Sequence, residues 1–116
     1  MSEIKFAYAA RGYDYAGASE RVAGDTELLR SLLDMFIADS SYSELIAALD
    51  AADAEAGFRA AHSLKGSSGM LGMTGLFEAM KRMTEPLRRG DAAGAAMYRA
   101  EVEREYASAV GMIKSL

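Results

Sequence analysis

Apolar residues recur at three- and four-residue spacing through most of the chain, the period of an α-helix with one buried face. Leu28, Leu29, Leu32, Met35 and Phe36 open the longest stripe, and Leu45, Ile46 and Leu49 continue it. Asp25 stands at its head as an N-cap. The polar run Asp39-Ser40-Ser41 interrupts this stripe, and one long helix with a wet middle is expected rather than two helices. Asp53 caps the next helix, whose stripe is Ala54, Gly57, Ala61, Leu64, Ser68 and Leu71, with Gly72 as its end. Thr74 opens a third, with Leu76, Phe77, Met80, Met83 and Leu87 inward and Glu78, Lys81, Arg82 and Glu85 outward. Arg88 and Arg89 in its last turn complement the helix dipole, and Gly90 supplies the stop. Pro86 lies inside this helix and predicts a kink or an early end. A last helix is expected after Asp91, with Ala95, Tyr98, Val102, Tyr106, Ala109, Ile113 and Leu116 on one face.

The first residues read differently. Ile4, Phe6 and Tyr8 alternate as a strand would, yet no second strand pattern exists to satisfy their backbone groups. Residues 1–13 are therefore expected to form an N-terminal arm, extended or a frayed helix, lying on the body. A short helix over about Ala16 to Ala23 follows, ended by Gly24. The fold expected is all-α: an antiparallel up-down four-helix bundle over residues 14–116 with a short extra N-terminal helix.

Composition narrows the function classes. The net charge of −4 leaves no basic excess for phosphate backbones, so nucleic acid is not an expected partner. Without cysteine there is no disulfide framework and no thiolate zinc site. The start of the chain lacks the basic and apolar regions of a signal peptide, and no apolar run is long enough to span a bilayer. The expectation is a cytoplasmic, soluble, monomeric domain with no membrane partner. The eight methionines are read as adaptable core volume.

The chain has one histidine. At about 100° per residue, His62 falls outside the stripe centred on Ala61, Leu64 and Ser68, on a solvent-facing shoulder of the second long helix. Its neighbours on the helical wheel are Phe58, Lys65, Gly66 and Gly69, with Arg59 a little further round. Each glycine costs roughly 1 kcal/mol relative to alanine inside a helix. Close packing of a neighbouring helix or a helix end would account for them, and so would clearance at Gly66 for a group approaching the imidazole. Lys65 stands one turn from His62, where side chains meet. By itself it is a solvated lysine; beside a phosphorylated imidazole it would offset the new negative charge. A neutral imidazole is a competent nucleophile at cellular pH.

The run Ala61-His62-Ser63-Leu64-Lys65-Gly66-Ser67-Ser68-Gly69-Met70-Leu71-Gly72 resembles the signature of histidine-containing phosphotransfer (HPt) domains. The shared pattern is a histidine with leucine two, lysine three and glycine four residues later, closed by a Leu-Gly pair. The resemblance implies His62 as phosphoacceptor, Lys65 as the cation that stabilises the phosphoryl group, and Gly66 as the clearance position. It implies as partner a response-regulator receiver domain, a hybrid sensor histidine kinase, or both. The partner would supply the aspartate and the Mg²⁺, so this chain is expected to bind no cofactor. The docking face is expected around Phe58, Arg59 and Gly69. Gly69, often larger in the family, and Pro86 depart from the usual pattern.

Two other readings bear on His62. A non-catalytic helical adaptor or regulatory binding domain would need no chemistry from it. An enzyme is disfavoured, because no second histidine or cysteine completes a metal site and no carboxylate one turn away orients the imidazole as a base. No P-loop pattern occurs, so the expected role is a phosphocarrier and not a kinase.

Overall fold

A computed structural model describes residues 3–116, and among them every regular element is helical. The helices are α1 (Glu3–Arg11), α2 (Tyr15–Arg21), α3 (Thr26–Ala38), α4 (Ser41–Asp50), α5 (Ala54–Met70), α6 (Thr74–Arg88), α7 (Ala92–Ala96) and α8 (Arg99–Lys114). Aspartate begins four of them. Asp14, Asp25, Asp53 and Asp91 each accept a hydrogen bond from the backbone N–H three residues on, at 2.8–3.1 Å. Such a cap satisfies one orphan donor and stabilises a helix by about 1 kcal/mol.

Short connections turn the chain back on itself, so α5 lies between α4 and α6, and α8 packs against α6 and α3. The result is the expected antiparallel bundle, 44 Å long and about 20 Å across. Its axis is filled by Leu33, Leu45, Leu64, Leu76, Met80, Met83, Val102 and Met112, all buried. Burial of these side chains, at about 25 cal/mol per Å² of apolar surface, is what holds the helices together.

Several expectations need correction. The first long stripe is two helices, α3 and α4. Asp39 is extended (ψ 136°), and its Oδ1 accepts the Ser41 N–H at 2.6 Å. The Ser40 hydroxyl donates to Glu44 at 2.9 Å, so local polar bonds replace helical ones at the break. Hydrogen bonding from the Ser41 hydroxyl and N–H holds the Asp39 carboxyl below the usual carboxylate range. Leu28 and Met35 were expected inward but are 45% and 64% exposed; Leu29, Leu33 and Phe36 form the buried stripe. The apolar residues of α3 cover a wider arc than its neighbours do. Met70 and Met97 are likewise exposed rather than core.

Pro86 does not end α6, which runs on to Arg88 and stops at Gly90. The ring sits in the last turn, buried, where only one helical hydrogen bond is lost. The last helix is divided into α7 and α8 at Met97–Tyr98.

Of the two forms expected for the N-terminal segment, extended arm or helix, the structure has the helix, over Glu3–Arg11; Met1 and Ser2 lie outside the described residues. Ile4 and Tyr8 are one turn apart and buried, whereas Phe6 is exposed. The Tyr8 hydroxyl donates to the Leu71 carbonyl at 2.6 Å, and the Tyr13 and Tyr15 rings meet Tyr8 edge-on at 5.5 and 5.7 Å. Asp14 N–H donates to Gly72 O at 2.8 Å, and the Thr74 hydroxyl to Gly12 O at 3.1 Å. These bonds fix α1 and α2 onto the turn between α5 and α6. Gly72 has φ +72°, and a Cβ there would collide with the Asp14 carbonyl. Only glycine satisfies both demands.

Candidate functional site

Helix α5 buries Gly57, Ala60, Ala61, Leu64 and Ser68, which leaves His62 on the opposite, exposed side. The helix is held along its inner face by α4 and α6. His62 therefore stands on a rigid element with its ring in solvent. Among the described residues, neither ring nitrogen has a hydrogen-bond partner. The contact that the ring does make is with Phe58, one turn earlier, at 5.7 Å between centroids and 21° between planes. Phe58 itself is half-buried against the core. Arg88 of α6 brings its guanidinium to 5.0 Å from the Phe58 ring centre. A cation over an aromatic ring at an accessible site contributes about 0.5–1 kcal/mol.

One turn beyond His62 the surroundings change. A Cβ built at Gly66 would meet nothing within 4 Å, so the space beside the imidazole is open. Lys65 is half-buried and forms no ion pair among the described residues, which leaves its ammonium available. Arg59, by contrast, is tied to Glu55 at 3.2 Å. Lys65 and Gly66 also border a cavity of about 660 Å³ whose other walls include Arg21, Gly69, Met70 and Phe77. The structure thus brings His62, Lys65, Gly66, Phe58 and Arg59 to one side of the bundle.

Chemically, this is an accessible imidazole with open space at Gly66 and, one turn away, a cation that forms no ion pair among the described residues. Among the described residues no three acidic or histidine side chains converge as a metal set. The family model of the Hpt domain matches residues 27–110, well over half of the chain. The chain belongs to the Hpt domain family. No curated protein and no solved structure matches it. Hpt domains are phosphotransfer modules of phosphorelays; they carry the phosphoryl group rather than act as kinases, and they work with receiver domains and kinases. No helix among the described residues of this Hpt domain is long and apolar enough to cross a membrane.

Gly69 sits differently from Gly66. A Cβ there would come within 2.9 Å of the Phe77 ring, so the missing side chain admits α6. Two residues of the site region were not anticipated from sequence. Arg21 donates to the carbonyls of Gly69 (3.2 Å) and Met70 (2.9 Å), so a cation from α2 satisfies the C-terminal end of α5. Arg88 was read only as a complement to its own helix dipole. Nothing in a linear pattern carries it across to Phe58; that contact is a product of the α5–α6 packing.

Proposed function

We propose that this Hpt domain carries a phosphoryl group on His62, exchanging it with the aspartate of a receiver domain that stands alone or is fused to a sensor kinase. The observation that carries the reading is the exposed imidazole on a buttressed helix, with open space at Gly66 and a Lys65 ammonium that forms no ion pair among the described residues. The lone pair of one ring nitrogen attacks the phosphorus of the aspartyl phosphate. The P–N bond forms as the P–O bond to the carboxylate breaks, and that electron pair returns to the aspartate. The reverse step hands the group on.

Lys65 offsets the negative charge that arrives with the phosphoryl oxygens, near −2 by analogy with other phospho-residues. Gly66 lets the donor approach without a side chain in its path. Mg²⁺ held in the partner's acidic site would neutralise charge there. Positioning and electrostatics dominate such transfers, so a bundle with one placed nucleophile suffices. The docking face surrounds His62 and includes Phe58, Arg59 and the Gly69 end of α5.

The test is transfer itself. A receiver domain charged with radiolabelled phosphoryl group, mixed with this protein and Mg²⁺, is expected to pass acid-labile label to it. His62→Gln, folded by circular dichroism, is expected to take none. Label that stays on every receiver tried, with the wild type folded, would leave a helical adaptor in which His62 has no chemistry.

A further inference from the structure

We propose that Phe58 is a positioning residue for the His62 imidazole and that Arg88 holds Phe58 in place; this rests on His62 being the phosphoacceptor. An exposed histidine with no hydrogen bond to either ring nitrogen turns freely about its side-chain bonds. A nucleophile must give up that freedom to place its lone pair in line with phosphorus. In this bundle an aromatic stack restrains it instead of a carboxylate or a carbonyl. Phe58 and His62 are four residues apart on α5, where side chains overlie one another, and their ring planes are within 21° at 5.7 Å. The support is itself anchored. Phe58 rests on the core on its inner side, and the Arg88 guanidinium lies over its ring at 5.0 Å. Arg88 in turn pairs with Glu85 at 3.6 Å, so the restraint runs from α6 to the nucleophile.

The direction of support matters. Phe58 lies one turn before His62, whereas Lys65 and Gly66 lie one turn after it. The stack therefore limits rotation of the ring from the N-terminal side and leaves the approach over Gly66 free. A phenylalanine that served only to anchor a partner would not affect reaction with a donor too small to dock.

Phosphoramidate is such a donor, and it separates the two roles. Phe58→Leu keeps apolar volume and loses the ring; it is expected to slow loading of His62 by phosphoramidate roughly tenfold. Phe58→Tyr keeps the ring and is expected to restore the wild-type rate. Arg88→Gln, a change at a half-exposed side chain, is expected to give a smaller loss, on the order of threefold. In proton NMR spectra the His62 ring signals should shift in Phe58→Leu and stay in place in Phe58→Tyr, because the neighbouring ring current is lost only in the first. Loading of Phe58→Leu at the wild-type rate, or His62 signals that do not move, would overturn the proposal. A defect seen with a receiver donor but not with phosphoramidate would also overturn it, in favour of a docking anchor. If Phe58→Leu fails to fold, Arg88→Gln decides by the same rate and signals. Wild-type protein that takes no phosphoryl group removes the phosphoacceptor reading and this one together, a result distinct from equal loading of all variants.

Discussion

A side chain added at Gly66 would meet open space, whereas one added at Gly69, almost a turn further along α5, would press into the Phe77 ring. Gly72, at the end of the same helix, is closed more tightly still, by the Asp14 carbonyl and its own positive φ. Gly66 and Gly69 each weaken the helix that carries them, whereas Gly72, with φ +72°, is the residue that a left-handed helix stop favours. At Gly69 and Gly72 the fold uses the absence of a side chain, to seat α6 and the α1–α2 segment. At Gly66 no packing offsets the cost. A glycine that the fold does not need, one turn from an exposed histidine, is what a docking or transfer site would keep.

That contrast can be broken by substitution. Gly72→Ala should have the largest effect, a destabilisation of about 2–4 kcal/mol, combining the left-handed backbone penalty with the collision at Asp14. Thermal unfolding measures it, and a loss under about 0.5 kcal/mol would show that the α1–α2 segment yields easily. Gly69→Ala should cost less, about 1–2 kcal/mol, because overpacking against Phe77 is partly offset by better helix propensity. Combining it with Phe77→Leu should recover part of that loss, since neighbouring sites couple.

Tyr8→Phe probes the closed end differently. Losing its bond to the Leu71 carbonyl should cost about 1 kcal/mol, seen in denaturant unfolding at neutral pH. Burial pushes the Tyr8 phenol well above its ordinary value, with the nearby Tyr13 and Tyr15 adding to it. The folded value is raised, so this contribution is fully present below the unfolded pKa of about 10. It is lost as pH rises from there toward the folded value. Stability should therefore fall above about pH 10, and less steeply in Tyr8→Phe. Gly66→Ala should be the smallest change in stability and opposite in sign, a gain of up to about 1 kcal/mol. Its expected price is a slower transfer from a receiver domain. Full-speed transfer in the stabilised variant would remove the clearance role of Gly66.

The same contrast marks what was legible in the sequence. The exposure of His62 follows from helical geometry alone, because Ala61, Leu64 and Ser68 define the buried side of α5. The caps at Asp25 and Asp53 were legible because an aspartate before an apolar stripe has a local partner. The break at Asp39 was not, since the apolar stripe resumes in phase beyond it and the deciding bond to Ser41 is a matter of backbone geometry. For a related reason the sequence leaves the N-terminal segment open between an extended arm and a helix. Ile4, Phe6 and Tyr8 fit a two-residue period, but Ile4 and Tyr8 alone also fit a four-residue one, and only the docking surface at Leu71 selects between them. Gly66 lies away from the core stripe on the helical wheel, which already separates it in part from Gly69, but the side chain that closes Gly69 is not visible in one dimension. Phe77, eight residues beyond Gly69, decides the matter from another helix.

On this reading, the open side of α5 holds a phosphorylatable His62. Incubation of the folded protein with phosphoramidate, followed by intact-mass measurement and ³¹P NMR, tests it without any assumption about the partner. A single added phosphoryl group with a phosphohistidine resonance is expected, lost in acid and absent from folded His62→Gln. Wild-type protein that remains unmodified, or His62→Gln that still acquires the group, would contradict it.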